Sequence, residues 1–179
     1  MGLCAVVALG LLGIASVLQA QSKVNENHLK AAFLFHFFEL VDWPPEALGA
    51  DSQPLLLCTL GDDPLGGVLG PAMEGQSVGA RPIHLRHLTQ PQDFQGCHAL
   101  FIGRDVRQRI TPLLAKLKDG PVLTVGETDD FAKQGGMIGL WMEGEKVRLD
   151  INLETARRAR LKISSRLLLL ARNVIGGRG

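Results

Sequence analysis

The sequence has no tyrosine, and seven phenylalanines with two tryptophans leave it only 5% aromatic over 179 residues. So few rings cannot furnish the stacking platforms on which single-stranded nucleic acids lie. Neither charge is in excess, because nineteen Lys and Arg against eighteen Asp and Glu give a net charge of +1. Nucleic-acid partners are therefore excluded, since such domains need a basic surplus to displace counterions. Disorder is excluded as well: the chain is 46% hydrophobic, too much for a low net charge to keep unfolded.

Several catalytic patterns are also missing. There is no Gly-x-Gly-x-x-Gly, no Gly-Lys-Ser/Thr, no His-Glu-x-x-His and no Cys/His spacing that would chelate a metal. Gly61-Asp62-Asp63-Pro64-Leu65-Gly66-Gly67 is a glycine-rich turn after an apolar run, but two aspartates there would repel a phosphate. It reads as a strand-to-helix turn. His84 and His87 are three apart on an expected strand and so point to opposite faces, which prevents joint chelation. His98 faces away from Cys97 on its own strand. His36 and Glu39, three apart on an expected helix, are the one acid/base couple worth testing. Otherwise the reading is of a non-enzyme without catalytic residues, cofactor or metal.

What is present begins with a hydrophobic leader. Fifteen of the first twenty residues are apolar, and the first charged side chain is Lys23. Leu18-Gln19-Ala20 before polar Gln21-Ser22-Lys23 reads as a signal peptide over residues 1–20 cut after Ala20; an uncleaved anchor is the alternative. Either way the body works outside the cytoplasm. Cys4 belongs to the leader, which leaves Cys58 and Cys97 as an even pair. An oxidising compartment favours a disulfide between them, with two buried free thiols as the alternative.

Residues 21–175 read as one α/β domain, with a mostly parallel central sheet flanked by helices and a C-terminal antiparallel hairpin. A helix is expected from His28 to Val41, stopped by Pro44-Pro45. It is apolar nearly all round, which means deep burial or a face given to a partner. Pro54–Leu60, Cys97–Ile102 and Val122–Val125 are continuous apolar runs, the mark of strands covered on both faces, and Pro82–Leu88 reads as another strand. A short helix is expected after Pro64, capped by Asp62 or Asp63, and an amphipathic one from Val106 to Lys118. A third, short one is expected from Asp129 to Gly135-Gly136. Met137–Met142 and Lys146–Asn152 around Glu143-Gly144-Glu145 form the hairpin, with Val147, Leu149 and Ile151 inward. Two helices, Leu153–Ala159 and Ser164–Val174, then flank Leu161-Lys162-Ile163, and residues 176–179 read as a frayed tail.

At this point the residues resemble a known family. Lys30-Ala31-Ala32-Phe33-Leu34-Phe35-His36-Phe37 through Val41-Asp42-Trp43-Pro44 is similar to the start of the YfiR family. So, in order, are Leu57-Cys58-Thr59-Leu60-Gly61-Asp62-Asp63-Pro64, Gly96-Cys97-His98-Ala99-Leu100-Phe101-Ile102 and Leu123-Thr124-Val125-Gly126-Glu127. Phe131-Ala132 to Gly135-Gly136-Met137-Ile138, then Val147–Asn152, then Leu161–Leu168 complete the match.

The resemblance implies a non-enzymatic periplasmic regulator. It would bind the periplasmic domain of an inner-membrane diguanylate cyclase and lower cyclic di-GMP, and with it biofilm formation. An outer-membrane OmpA/Pal-like lipoprotein would sequester it, and a second copy would pair with it as a homodimer. Cys58 and Cys97 match the family's structural disulfide; Ala132 and Gly139 stand where some members carry a second cysteine pair. The expected contact surface combines Arg148, Asp150 and Asn152 with Lys162, Ile163 and Ser164. A small-molecule-binding sensor, using the crevice near Gly61 and Gly103, is the alternative.

Overall fold

The computed structural model describes residues 26–62, 65 and 67–177. The leader, Asp63 and Pro64 of the glycine-rich turn, and the last two residues of the tail lie outside the described residues. A helix over 26–40 (α1) leads into a two-residue strand, Val41–Asp42 (β1), and one helical turn, Pro45–Leu48 (α2). Then come Leu55–Leu60 (β2), Leu69–Met73 (α3), Ser77–Val78 (β3), Arg81–Leu88 (β4) and Ala99–Ile102 (β5). A 3-10 turn over Arg104–Arg109 runs into Ile110–Leu117 (α4), followed by Leu123–Gly126 (β6), Ile138–Glu143 (β7) and Lys146–Asn152 (β8). The chain finishes with Leu153–Arg158 (α5), Lys162–Ile163 (β9), Ser165–Leu168 (α6) and Asn173–Ile175 (β10).

Eight strands form one sheet in the order β10-β8-β7-β6-β5-β2-β4-β3. Neighbours from β4 to β7 run parallel, β7 and β8 form the antiparallel hairpin, and β10 closes that edge parallel to β8. The α/β architecture is therefore as the apolar runs imply. Alternation sorts the side chains between two cores. Leu55, Leu57, Phe101, Val125, Leu140 and Ile151 face the layer of α1, α3, α5 and α6. Cys58, Leu60, Leu100 and Ile102 face α4, whose Ile110, Leu113, Leu114 and Leu117 recur at helical spacing.

Five expectations need correction. The helix after the glycine-rich turn is Leu69–Met73, with Val68 at its N-cap position and no side-chain cap, so neither Asp62 nor Asp63 caps it. Val41 leaves the first helix and pairs with Ile163 in a separate two-stranded sheet, because Pro44 and Pro45 leave the helix no further turn to make. The segment after β5 winds first as a 3-10 turn and becomes α-helical only at Ile110, which puts Pro112 in the first turn, where its missing N–H costs nothing. Residues 129–135 form turns rather than a helix. Phe131 is fully buried between Gly126 and Gly136, where an added Cβ would lie 2.2 and 2.1 Å from its ring, and that plunge breaks any helical run. The last expected helix is a single turn, because Asn173–Ile175 gains more as a ladder on β8.

Cys58 and Cys97 form a disulfide with their Cα atoms 5.8 Å apart, which joins β2 to the residue leading into β5. Beside it Nη2 of Arg86 lies 3.1 Å from Cys97 Sγ and donates to the carbonyls of Asp93 and Gln95. His98 comes next and uses every polar group it has. Its N–H donates to Leu56 O, and its carbonyl accepts from Leu123 N and from the Trp43 indole. Its Nδ1 accepts from Leu56 N at 3.0 Å, so its Nε2 carries the proton and donates to Ala47 O at 3.0 Å.

Two outcomes follow. The disulfide closes a loop with a sequence separation of 39, and replacing both cysteines by alanine should cost about 4 kcal/mol in denaturant unfolding, on the chain-entropy account. Burial, and secondarily Arg81, hold the His98 pKa below its ordinary 6.5, against the opposing Ala47 hydrogen bond. Its neutral form therefore contributes stability above about pH 6.5, and that contribution is lost as pH falls through the lowered value. Melting temperatures from pH 8 down to pH 5 should fall more steeply for the native protein than for His98→Gln.

Candidate functional site

Ligands of open α/β sheets sit outside the carboxyl ends of the strands, at the point where strand order reverses. Here that point lies between β2 and β5, since the chain leaves β2 for β4 on one side and later enters β5 on the other. A crevice of ≈ 280 Å³ opens there, lined by Gly61, Asp62, His87, Asp105 and Arg109 among others. The seat a phosphate would take at the β2 turn is already filled by an anion. Asp105 Oδ2 accepts from Asp62 N at 3.0 Å, and a Cβ on Gly61 (φ +125°) would lie 2.5 Å from Asp105 Oδ1. Gly61 is thus needed for close approach of a carboxylate, and the Asp62 amide beside it is already taken by Asp105.

A second crevice of ≈ 300 Å³ opens beyond β5, β6 and β7, lined by Arg104, Glu127, Thr128, Asp129, Trp141 and Met142. Two of these residues, Arg104 and Glu127, belong to an ion cluster. Lys30 on α1 is 1% exposed, and its ammonium lies 2.5 Å from Glu26 and 2.8 Å from Glu127. Arg104 stands 4.0 Å from the same Glu26 oxygen. An unpaired buried ammonium would be too costly to keep, so the two carboxylates are what permits Lys30 on the buried stripe of the helix. The cluster ties α1 to the end of β6.

The individual candidates are placed as follows. His36 Nδ1 and Glu39 Oε2 are 2.7 Å apart, but both side chains stand about half exposed on the surface of α1 and line neither crevice. His87 Nδ1 pairs with Thr59 Oγ1 on the adjoining strand at 3.0 Å, and His84 is exposed. Among the described residues no three His, Cys, Asp or Glu stand close enough to hold a metal. Gly75-Gln76-Ser77-Val78-Gly79 spells the Gly-x-Ser-x-Gly of serine hydrolases, a match the sequence reading passes over. Ser77 lies exposed on the two-residue edge strand β3, not on a strained strand-to-helix elbow, so the chemistry that motif serves is not built.

Arg148, Asp150 and Asn152 do share one face of β8, opposite Leu149 and Ile151. Their roles differ. Arg148 is partly exposed and pairs with Glu143 at 2.7 Å. Asp150 is buried; its Oδ1 accepts from Asn173 Nδ2 at 2.8 Å and lies 3.8 Å from Arg172. Asn152 caps α5 by accepting from Thr155 N and donates to Ala132 O. Arg172 completes this face by lying 4.9 Å over the Trp141 ring. The segment Lys162–Ser164 is elsewhere: Ile163 packs into the core on the opposite side of the sheet. The structure therefore does not bring the two halves of the expected contact surface together.

The buried Lys30 pair, the Asp105 plug and the Trp141–Arg172 stack were not read from the sequence. Lys30 had a signal, since Lys30, Leu34, Phe37 and Val41 follow the 4-3-4 spacing of one buried stripe, with Glu26 one turn earlier. The other two depend on pairings across the sheet that no local pattern carries.

The fold and its surfaces define an α/β domain whose strand-end positions are filled by its own carboxylates, Asp105 on a backbone amide and Glu127 on Lys30. Comparison places it more closely. The chain matches the YfiR/HmsC-like family over residues 27–172 and belongs to that family. At the level of the family these are periplasmic regulators of diguanylate cyclases. Among solved structures it is similar to a conserved domain protein from Vibrio cholerae O1 biovar El Tor str. N16961, with a TM-score of 0.56 at 9% identity. The alignment covers 83% of this chain and 60% of that one, and at such identity it speaks to the fold alone. No curated protein matches the chain.

Replacing Lys30 by methionine keeps the volume but strands the Glu127 carboxylate, and it should cost about 3 kcal/mol in denaturant unfolding. Adding Glu127→Gln to that variant should recover part of the loss, which a double-mutant cycle would show.

Proposed function

We propose that this protein binds the periplasmic domain of an inner-membrane diguanylate cyclase and holds it inactive, so that its presence lowers cyclic di-GMP. The observation that carries the reading is the family match over residues 27–172, almost the whole described domain. Release comes from competition: an OmpA/Pal-like outer-membrane lipoprotein draws the regulator away, and a second copy of the chain pairs with it as a homodimer. Such a role needs no chemistry, only a difference in affinity between two states of the target. Moving a cyclase from half active to about 1% active takes roughly a hundredfold preference, or about 2.7 kcal/mol.

The surface we assign to the cyclase is the β7–β8 face around Arg148, with Arg172 and Trp141 beside it. Arginine and tryptophan are the residues that most often anchor protein interfaces. Asp150 and Asn152 serve this surface from beneath by fixing Arg172, Asn173 and the start of α5. Lys162, exposed, with partly buried Ile163 and Ser164 beside it, lies apart from this surface, which suits a different partner or the second copy.

Deletion of the protein should raise cyclic di-GMP, and Arg148→Glu should weaken capture of the cyclase's periplasmic domain at least tenfold while leaving the melting temperature unchanged. Unaltered cyclic di-GMP in the deletion strain would reject repression. Lost capture by Lys162→Glu but not by Arg148→Glu would move the contact to the other layer. A second reading, a small-molecule sensor, is favoured by the ≈ 280 Å³ crevice carrying His87 and Arg109; saturable calorimetric binding abolished by Arg109→Ala would establish it.

A further inference from the structure

Among the described residues the two most exposed large apolar side chains are sequence neighbours, Leu169 at 85% and Leu170 at 56%. They directly follow α6, and helical hydrogen bonds continue past it: Leu169 N donates to Ser165 O and Leu170 N to Leu167 O. At 100° per residue Leu169 and Leu170 lie on either side of Arg166, while Leu167, about 100° round from Arg166, is buried. One turn thus shows solvent two leucines with an arginine between them. So exposed a leucine has almost no contact with its own chain, so the pair forms a protrusion and not the wall of a groove.

The segment that carries the protrusion is basic. Residues 157–172 contain six Arg and Lys and no acid, in a chain whose total is only +1. Arg158 and Arg160 are neutralised by Glu154 and Glu46. Arg157 donates to the Gly176 carbonyl, and neither Arg166 nor Lys162, which stands across from Asp42, forms an ion pair among the described residues. Three cations of this segment are therefore left without a carboxylate, and one of them, Arg166, stands between the two protruding leucines. Like charge opposes self-association through this patch, whereas a bilayer with anionic headgroups satisfies both parts of it, taking the leucines into the acyl boundary and the cations at the phosphates.

We propose that the Arg166–Leu170 turn docks this protein on anionic phospholipid bilayers. The test is co-sedimentation of the purified protein with vesicles of phosphatidylethanolamine and phosphatidylglycerol, against vesicles of phosphatidylcholine. Every variant keeps the same leader, so that segment cannot account for a difference between variants. The native protein should bind the anionic vesicles more strongly and release as salt rises. Arg166→Glu should reduce binding by about fivefold or more, as expected for loss of a cation near a charged surface. Leu169→Ser with Leu170→Ser should do likewise, with an unchanged melting temperature because both sites are exposed.

Equal binding by native protein and variants, or none by the native protein, overturns the proposal. So does a loss confined to protein contacts: the leucine variant failing to dimerise, or failing to capture the cyclase domain, while vesicle binding is unaltered. Repression of the cyclase is read separately, from cyclic di-GMP and from Arg148→Glu, so either proposal can fail without the other.

Discussion

Everything on the disulfide side of the sheet depends on how the backbone at Cys97 and His98 is held. The disulfide fixes Cys97 to β2, and His98 then joins β2, β6, α2 and Trp43 through its backbone and both ring nitrogens. Parallel strands have no short turn to set their register, so side-chain contacts must help to set it. Arg81 supports the same corner by donating to the carbonyls of Leu48, Ala50 and Gln53. A loop with no regular structure is thereby given partners for its carbonyls by one arginine, while the neutral His98 takes Ala47. The arrangement requires an uncharged imidazole, since Nδ1 must accept. That is why burial and the nearby guanidinium, which both disfavour the charged ring, work in favour of the fold.

The strand ends that would bind a ligand in many α/β proteins are occupied here by the chain's own carboxylates. Asp105 lies over the turn after β2, and Glu127 after β6 faces the Lys30 ammonium. Both are carboxylates at positions where enzymes of this architecture place amides or cations toward phosphates. The same substitution of sign explains why α1 can carry a lysine among its phenylalanines. Lys30 anchors the helix, and the aromatic side chains then pack around a fixed point: Leu34, Phe37 and Phe38 fill the core and Phe38 stacks on Trp43 at 5.4 Å.

Much of this was legible in the sequence, for definable reasons. Strands β2, β5 and β6 are covered on both faces and so read as unbroken apolar runs; β8 has one polar face and so alternates. Gly144 opens the two-residue turn between Glu143 and Lys146 with φ +62°, the backbone that the Glu-Gly-Glu signal calls for. The disulfide followed from counting once the leader was set aside. The failures share a cause. Leucines 167 to 170 read as a helix by propensity, yet only Leu167 is fully buried, so a second turn had no core to pack on and the chain returned as β10. Asp129 reads as a cap, but Phe131 needs the gap between two glycines. In each case a distant contact overrode a local preference. The expected contact surface failed to close up for a related reason, since sequence proximity of Asn152 and Lys162 says nothing about which side of the sheet α5 lies on.

The middle of the sheet and its β10 edge are stabilised by different means, and this bears on where a partner can act. The β2–β5 region is covalently crosslinked, and its strands are covered on both faces. The β8–β10 edge rests on a three-residue ladder and on a buried carboxylate, Asp150, whose neighbours Asn173 and Arg172 come from β10 and the residue just before it. Asp150 cannot be left uncompensated, because a buried unpaired charge costs several kcal/mol. Any protein that binds over Trp141 must therefore leave Arg172 in place or supply a donor of its own. A surface built in this way discriminates by charge as well as by shape: a partner with an acid opposite Arg172 competes with Asp150, while one that meets Arg148 and leaves Arg172 lying over the buried Trp141 ring keeps the buried pair intact.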